Sequence, residues 1–251
     1  MDLKRLELER AFHDRQAAER DLTFRMDPAR LRFENDSYLD HESWVRPALE
    51  QLGAVAGRQI LDFGCGHGMM AVTLARLGAR VTGFDLSSGY IREASARACA
   101  NSAQVQLLAA DAERLPFADA SFDGIWGNAI LHHLDLGRTA REIRRVLRSG
   151  GRAVFCEPWG ENPVLAWARN RLNAPNKRTP TEKPLRKCQL AVLRATFHDV
   201  RLRGFQFFGI GGRAWPGLSW SRCLEGFDRR LLGRVPGLQR LSRYMVITLN
   251  G

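Results

Sequence analysis

The chain has 251 residues, 45% hydrophobic and 26% charged, an ordinary globular composition with room for one large α/β domain. No run reaches the roughly 18 consecutive apolar residues needed to span a bilayer. The charged N-terminal stretch lacks the apolar core of a secretory signal, and the five scattered cysteines (Cys65, Cys99, Cys156, Cys188, Cys223) form no C-x-x-C pair and no zinc spacing. The expectation is a cytoplasmic protein with reduced thiols and no structural metal. The net charge of +11 is unevenly spread, about −5 over residues 1–137 and +16 over 138–251. The second part therefore attracts something anionic, whether a phosphorylated or carboxylated substrate, a lipid surface or nucleic acid.

In chain order, Leu3, Leu6, Leu8 and Phe12 suggest a first amphipathic helix, and Tyr38 to Leu52 a second. From Arg58 short apolar runs alternate with helical segments. Gln59–Phe63 precedes a helix over Met69–Leu77, and Arg80–Phe84 precedes an alanine-rich helix over Ser88–Asn101. Val105–Ala109 and Gly124–Trp126 come next, then a helix over Leu136–Leu147 and a fifth run over Gly151–Cys156. This alternation predicts a doubly wound, Rossmann-like parallel sheet with helices on both faces. Pro158–Pro184 reads as irregular, Leu185–Thr196 as a helix and Val200–Phe208 as a strand. Gly209–Arg243 reads as an insertion before a last strand over Tyr244–Leu249. The expected organisation is an N-terminal helical lid (residues 1–54), a core (55–160) and a substrate-side segment completing the sheet (161–251).

The run ILDFGCGHG (Ile60–Gly68) carries an apolar strand into a loop with glycines at 64, 66 and 68. Such a loop lets the backbone approach a ligand at a helix N-terminus. Asp85 ends the next strand, where a carboxylate can accept both hydroxyls of a ribose. The spacing is G-x-G-x-G with Asp62 before it, which suits a positively charged ligand better than a pyrophosphate. Taken with TGFDLS (Thr82–Ser87), DAERLPFADASFDGIWGNAILHHL (Asp111–Leu134) and LRSGGRAVFCEP (Leu147–Pro158), the chain resembles class I S-adenosylmethionine-dependent methyltransferases. It is most similar to the small-molecule branch that includes quinone-biosynthesis-like enzymes.

The resemblance implies a seven-stranded methyltransferase sheet, S-adenosyl-L-methionine as cofactor, and particular roles. Asp62 would meet the cofactor's ammonium, and Gly64, Cys65, Gly66 and His67 would wrap its methionine part. Asp85 would take the ribose hydroxyls, Leu86 would pack on the adenine, Asp111 and Ala112 would meet the adenine edge, and Asn128 would line the cleft near the sulfonium. A general base is needed only if the acceptor must lose a proton; His132, His133, Glu157 and His67 are candidates. Tyr38 and His41 in the lid, and Arg178 in the basic segment after the fifth strand, are candidates for the substrate side. No metal is expected.

The expected partner is a small, partly hydrophobic or anionic acceptor. Residues 209–243 mix Trp215, Trp220 and Phe227 with arginines, which suggests peripheral contact with an anionic membrane face. The alternatives are a methyltransferase-like protein performing another reaction, or a nucleic-acid methyltransferase. The second is disfavoured because the loop after the fourth strand reads Asn128-Ala129-Ile130-Leu131 rather than Asn/Asp-Pro-Pro-aromatic.

Overall fold

The computed structural model describes residues 3–171, 183–207 and 220–251. Seven strands form one sheet: β1 Gln59–Phe63, β2 Arg80–Asp85, β3 Val105–Ala109, β4 Phe122–Asn128, β5 Leu147–Pro158, β6 Asp199–Phe205 and β7 Tyr244–Asn250. Their order is β3-β2-β1-β4-β5-β7-β6. Pairs β1–β2, β1–β4, β2–β3 and β4–β5 are parallel, whereas β7 runs antiparallel to both β5 and β6. The order reverses at β1, whose neighbours are β2 and β4, so the carboxyl ends of these strands open a crevice there.

Both faces of the sheet are covered, and the strands alternate between two apolar cores. On β5, Ala153 and Phe155 join the core of Leu61, Phe63, Ile125 and Ile143. Val154 and Cys156 join that of Trp44, Val45, Ala48 and Trp126. The helices between the strands are α4 (Met69–Arg76), α5 (Ser88–Ala100) and α6 (Leu136–Val146). The sequence starts two of them with a side-chain cap. The Ser87 hydroxyl accepts from Tyr90 N–H at 3.1 Å, and Asp135 accepts from Gly137 and Arg138 N–H at 2.9 and 3.1 Å, which satisfies donors the first turn leaves open.

Four expectations change. The helix expected over Tyr38–Leu52 is two, α2 (Asn35–Leu39) and α3 (Val45–Leu52). Pro47 cannot donate to the preceding turn, and Arg46 folds back on Asp36 and Asp40 at 2.7 and 2.6 Å, closing the bend. The segment after β5 is not wholly irregular: α7 spans Pro163–Arg171. Pro163 occupies the first turn, where proline is tolerated, and the Asn162 side chain caps Val164 and Leu165 N–H at 3.0 and 3.2 Å. The helix expected over Leu185–Thr196 opens as a 3-10 turn, Lys187–Gln189, before α8 (Leu190–Thr196). In the insertion, α9 spans Trp220–Arg234 and buries Asp228 and Leu232; Trp215 and Phe208 lie outside the described residues. No helix of the described residues is long and apolar enough to cross a membrane.

The first helix, α1, runs through Leu3–Met26. Its apolar side chains do not share one face: Leu6 and Ala17 are buried while Leu8 and Leu22 are exposed. Polar contacts to α5 hold it instead. Asp14 Oδ1 accepts from the Ser87 hydroxyl at 2.5 Å and from Gly89 N–H at 3.0 Å. Tyr90 donates to Gln16 at 2.8 Å, and Arg20 meets buried Glu93 at 2.8 Å. These bonds lay α1 across the crevice.

Candidate active site

The loop from β1 to α4 forms the floor. Gly66 and Gly68 have φ of +49° and +83°, a region that favours glycine. At Gly68 a Cβ would lie 2.7 Å from Ala94 Cβ, so the loop packs directly on α5. At Gly66 a Cβ would meet nothing within 4 Å, leaving bare backbone facing open space. The Asp85 carboxylate fixes this loop, accepting from Gly66 N–H at 2.9 Å through one oxygen and from Ser87 N–H at 2.9 Å through the other. A carboxylate oxygen can accept more than one such bond, so both retain capacity for a ligand.

Above this floor lies a cavity of ≈ 340 Å³, within the size range of small-molecule sites. Asp62, Gly64, Cys65, Gly66 and His67 border it from the first strand and its loop. Asp85 and Leu86 do so from the second, Asp111 and Ala112 from the third, and Asn128 from the fourth. Every residue expected to hold the cofactor thus meets one space. Three buried oxygens there, Asp62 Oδ2, Asp111 Oδ2 and Asn128 Oδ1, have no hydrogen-bond partner among the described residues. Buried acceptors without donors are costly, so the site is built for a ligand that brings donors or positive charge. S-adenosylmethionine fits that donor demand with its ammonium, adenine amino group and ribose hydroxyls.

The electrostatics agree. Burial, with the Asp85 charge adding to it against one backbone donor, pushes the Asp62 carboxyl up to about 7; burial raises Asp85 too. Burial, with Arg20 and Arg97 nearby, holds His67 down at about 3, so its ring stays neutral. Burial raises the Cys65 thiol, so Cys65 is a packing residue and not a thiolate.

Of the four residues expected as base, His67 borders the cavity and the other three separate. Glu157 is fully buried and does not border the cavity. Its Oε1 accepts from Ile130 and Leu131 N–H at 3.0 and 2.9 Å, and its Oε2 lies 2.7 Å from His132 Nδ1. With the His132 side chain only 2% exposed, this pair is an internal brace for the loop after β4, not groups that reach a substrate. The reason is register: Glu157 shares with Phe155 the side of β5 that faces this loop. The chain leaves β4 through Ala129 at φ +55°, and the braced 3-10 turn Leu131–His133 presents His133 to the cavity.

Of the substrate-side candidates, Tyr38 borders the cavity, and burial pushes its phenol up, with Asp62 adding to the effect. His41 does not reach it. It lies exposed, stacked on Tyr38 with ring centroids 5.1 Å apart. Arg178 lies outside the described residues.

The sequence reading missed the contribution of α1. Arg5, Glu9 and His13 border the cavity at four-residue steps along one helical face. Arg5 pairs with buried Glu113 and donates to the His133 carbonyl. His133 Nδ1 lies 3.2 Å from Glu9 Oε2, and His13 Nε2 lies 3.6 Å from the same oxygen. The E-x-x-x-H spacing was the only available signal. Burial disfavours charge on His13, but Glu9 and Asp85 outweigh it and hold its pKa above the ordinary value.

The seven-stranded sheet and the crevice at its switch point have the Rossmann-like fold seen in class I methyltransferases. Residues 61–155 match the family model described as "Methyltransferase domain". The chain is 42% identical over 120 residues to O-methyltransferase resE of Aspergillus sclerotiorum, covering 46% of this chain and 46% of that protein. It is 37% identical over 122 residues to demethylmenaquinone methyltransferase of Tropheryma whipplei (strain Twist), covering 48% and 50%. The chain thus matches about half the length of these curated relatives. Its fold is shared with geranyl diphosphate C-methyltransferase from Streptomyces coelicolor A3(2), at TM-score 0.57 and 19% identity over 82% of this chain and 77% of that one.

Proposed function

We propose that this protein transfers a methyl group from S-adenosyl-L-methionine to a small, partly apolar acceptor. The observation that carries the reading is the set of unpartnered acceptors, Asp62, Asp111 and Asn128, around a glycine loop pinned by Asp85. When bound, the cofactor supplies a methyl carbon already activated by positive sulfur. Asp62 and the loop backbone hold its amino-acid end, Asp85 the ribose, and Asp111 with Ala112 the adenine edge.

The protein's remaining task is to align the acceptor and exclude water. Tyr38, Trp126, Ile130 and Leu134 give an apolar wall, and α1 roofs the cavity. His133, with Glu9, His13 and Arg5, is the polar edge where we place the acceptor's reacting group. The name of one relative, a demethylmenaquinone methyltransferase, supports a small-molecule acceptor. We also place an anionic-membrane contact on α9, which exposes Phe227, Arg229, Arg230 and Arg234.

Calorimetry with S-adenosylmethionine and S-adenosylhomocysteine, followed by assay of S-adenosylhomocysteine release over hydroxylated, carboxylated and isoprenoid acceptors, tests the main reading. Micromolar binding and turnover of one class are expected. A protein that binds neither nucleoside overturns it.

A further inference from the structure

Two imidazoles and a carboxylate meet at the edge of the cavity, drawn from segments more than a hundred residues apart. Glu9 and His13 lie on one face of α1, and His133 ends the turn after β4. One ligand atom from each lies within 4.8 Å of the other two. Two of the three edges are 3.2 Å, His133 Nδ1 to Glu9 Oε2, and 3.6 Å, His13 Nε2 to Glu9 Oε2. Ligands about 2.0–2.1 Å from a tetrahedral metal are separated by about 3.4 Å, so these edges bracket the value for a shared ion.

The orientation agrees as well. His133 Nδ1 makes no aligned hydrogen bond despite that 3.2 Å approach, and the two rings are inclined at 75° with centroids 5.8 Å apart. The two rings therefore do not stack. The side chains are 25%, 7% and 13% exposed for His13, Glu9 and His133, so a cation there would be largely shielded from water.

We propose that Glu9, His13 and His133 bind one divalent transition-metal ion of the zinc class. Two histidines and one glutamate suit such ions, and three protein ligands leave a position open. All three residues border the cavity, so that position faces it and takes a water or an acceptor oxygen. The ion would also clamp α1 to the loop after β4. The binding claim is independent of methyl transfer; only the place given to the acceptor oxygen rests on the function proposed above.

The test uses the full chain, stripped with a chelator and titrated with Co²⁺ and with Zn²⁺. The expected result is one ion per chain and an X-ray absorption shell of two imidazoles with oxygen and no sulfur. Glu9→Gln and His13→Ala should each weaken binding at least about tenfold, while His198→Ala, at an exposed site on another part of the surface, should not change it. No stoichiometric binding, a shell containing sulfur or fewer than two imidazoles, or affinity unmoved by His13→Ala would overturn the proposal. If a variant fails to fold, the wild-type absorption shell decides. Calorimetry of the stripped wild-type chain with S-adenosylhomocysteine reports separately on the cofactor pocket, so failure of one reading is distinguishable from failure of the other.

Discussion

Asp62 is placed to be useful and costly at once. Its carboxyl is held at about 7 by burial and by Asp85, so the free protein carries a largely protonated group below that pH. A cationic nucleoside favours the ionised form, so its affinity should rise about tenfold between pH 6 and pH 8 and then level off. Asp62→Asn should flatten that profile and weaken binding at pH 8; a calorimetric series insensitive to both pH and substitution would contradict this. The sign for stability is opposite. The folded pKa exceeds the unfolded value, so the contribution is full at acid pH and is lost as pH rises through about 7. Asp62→Asn should therefore make the free protein more stable at pH 8. Glu157 matters through the groups it satisfies. Removing a buried carboxylate that receives two backbone amides and faces His132 leaves the two amides without their acceptor. Glu157→Ala should cost on the order of 3–5 kcal/mol in denaturant unfolding, and Glu157→Gln distinctly less. The sequence placed an acid at the end of β5 but could not tell a brace from a base, because that depends on which side of the strand the loop after β4 packs.

Among the elements, α1 shows most clearly what local pattern cannot convey. Strands β1, β2, β4 and β5 and helices α4 and α6 were legible because each buries an apolar period, while β3, at the sheet edge, buries none of its residues; the caps at Ser87 and Asp135 mark two helix starts. The docking face of α1 is instead polar: Asp14, Gln16 and Arg20 pair with groups on α5 that only the fold brings near. That is why the lid was expected while its Arg5, Glu9 and His13 were not. Asp14 also puts negative charge on the first turn of α5, where it is favourable. Asp14→Ala should lower stability by about 1–3 kcal/mol, through the two lost hydrogen bonds, and speed cofactor dissociation as α1 loosens. Thermal melts with stopped-flow displacement would check this; an unchanged dissociation rate would show that α1 does not retain the ligand. The neighbouring cluster is more sensitive. Arg97, 3% exposed, depends on Glu93, so Glu93→Ala strands a buried cation and should cost about 3–5 kcal/mol.

At the scale of the molecule, the cofactor half follows from motifs whose chemistry fixes their place: a glycine loop, then acids at successive strand ends. The other half had less to read. The expectation was a parallel sheet; that β7 instead inserts antiparallel between β5 and β6 is not visible in an apolar run, which looks the same in either direction, and the family resemblance implied seven strands without this orientation. The charge asymmetry is legible but has no address without a surface. On α9, Asp228 and Leu232 face inward, while Phe227, 54% exposed, shares the outer surface with Arg229, Arg230 and Arg234. An arginine near an anionic membrane contributes about 1 kcal/mol, so Arg229→Ala with Arg230→Ala should weaken partition by about 2 kcal/mol, roughly thirtyfold. Flotation with phosphatidylserine-rich vesicles should show binding at low salt that fades as the Debye length shrinks and is absent from neutral vesicles. Binding that ignores salt would point to apolar insertion through Phe227 instead, and no binding at any salt would return these arginines to the role of solvated surface charge.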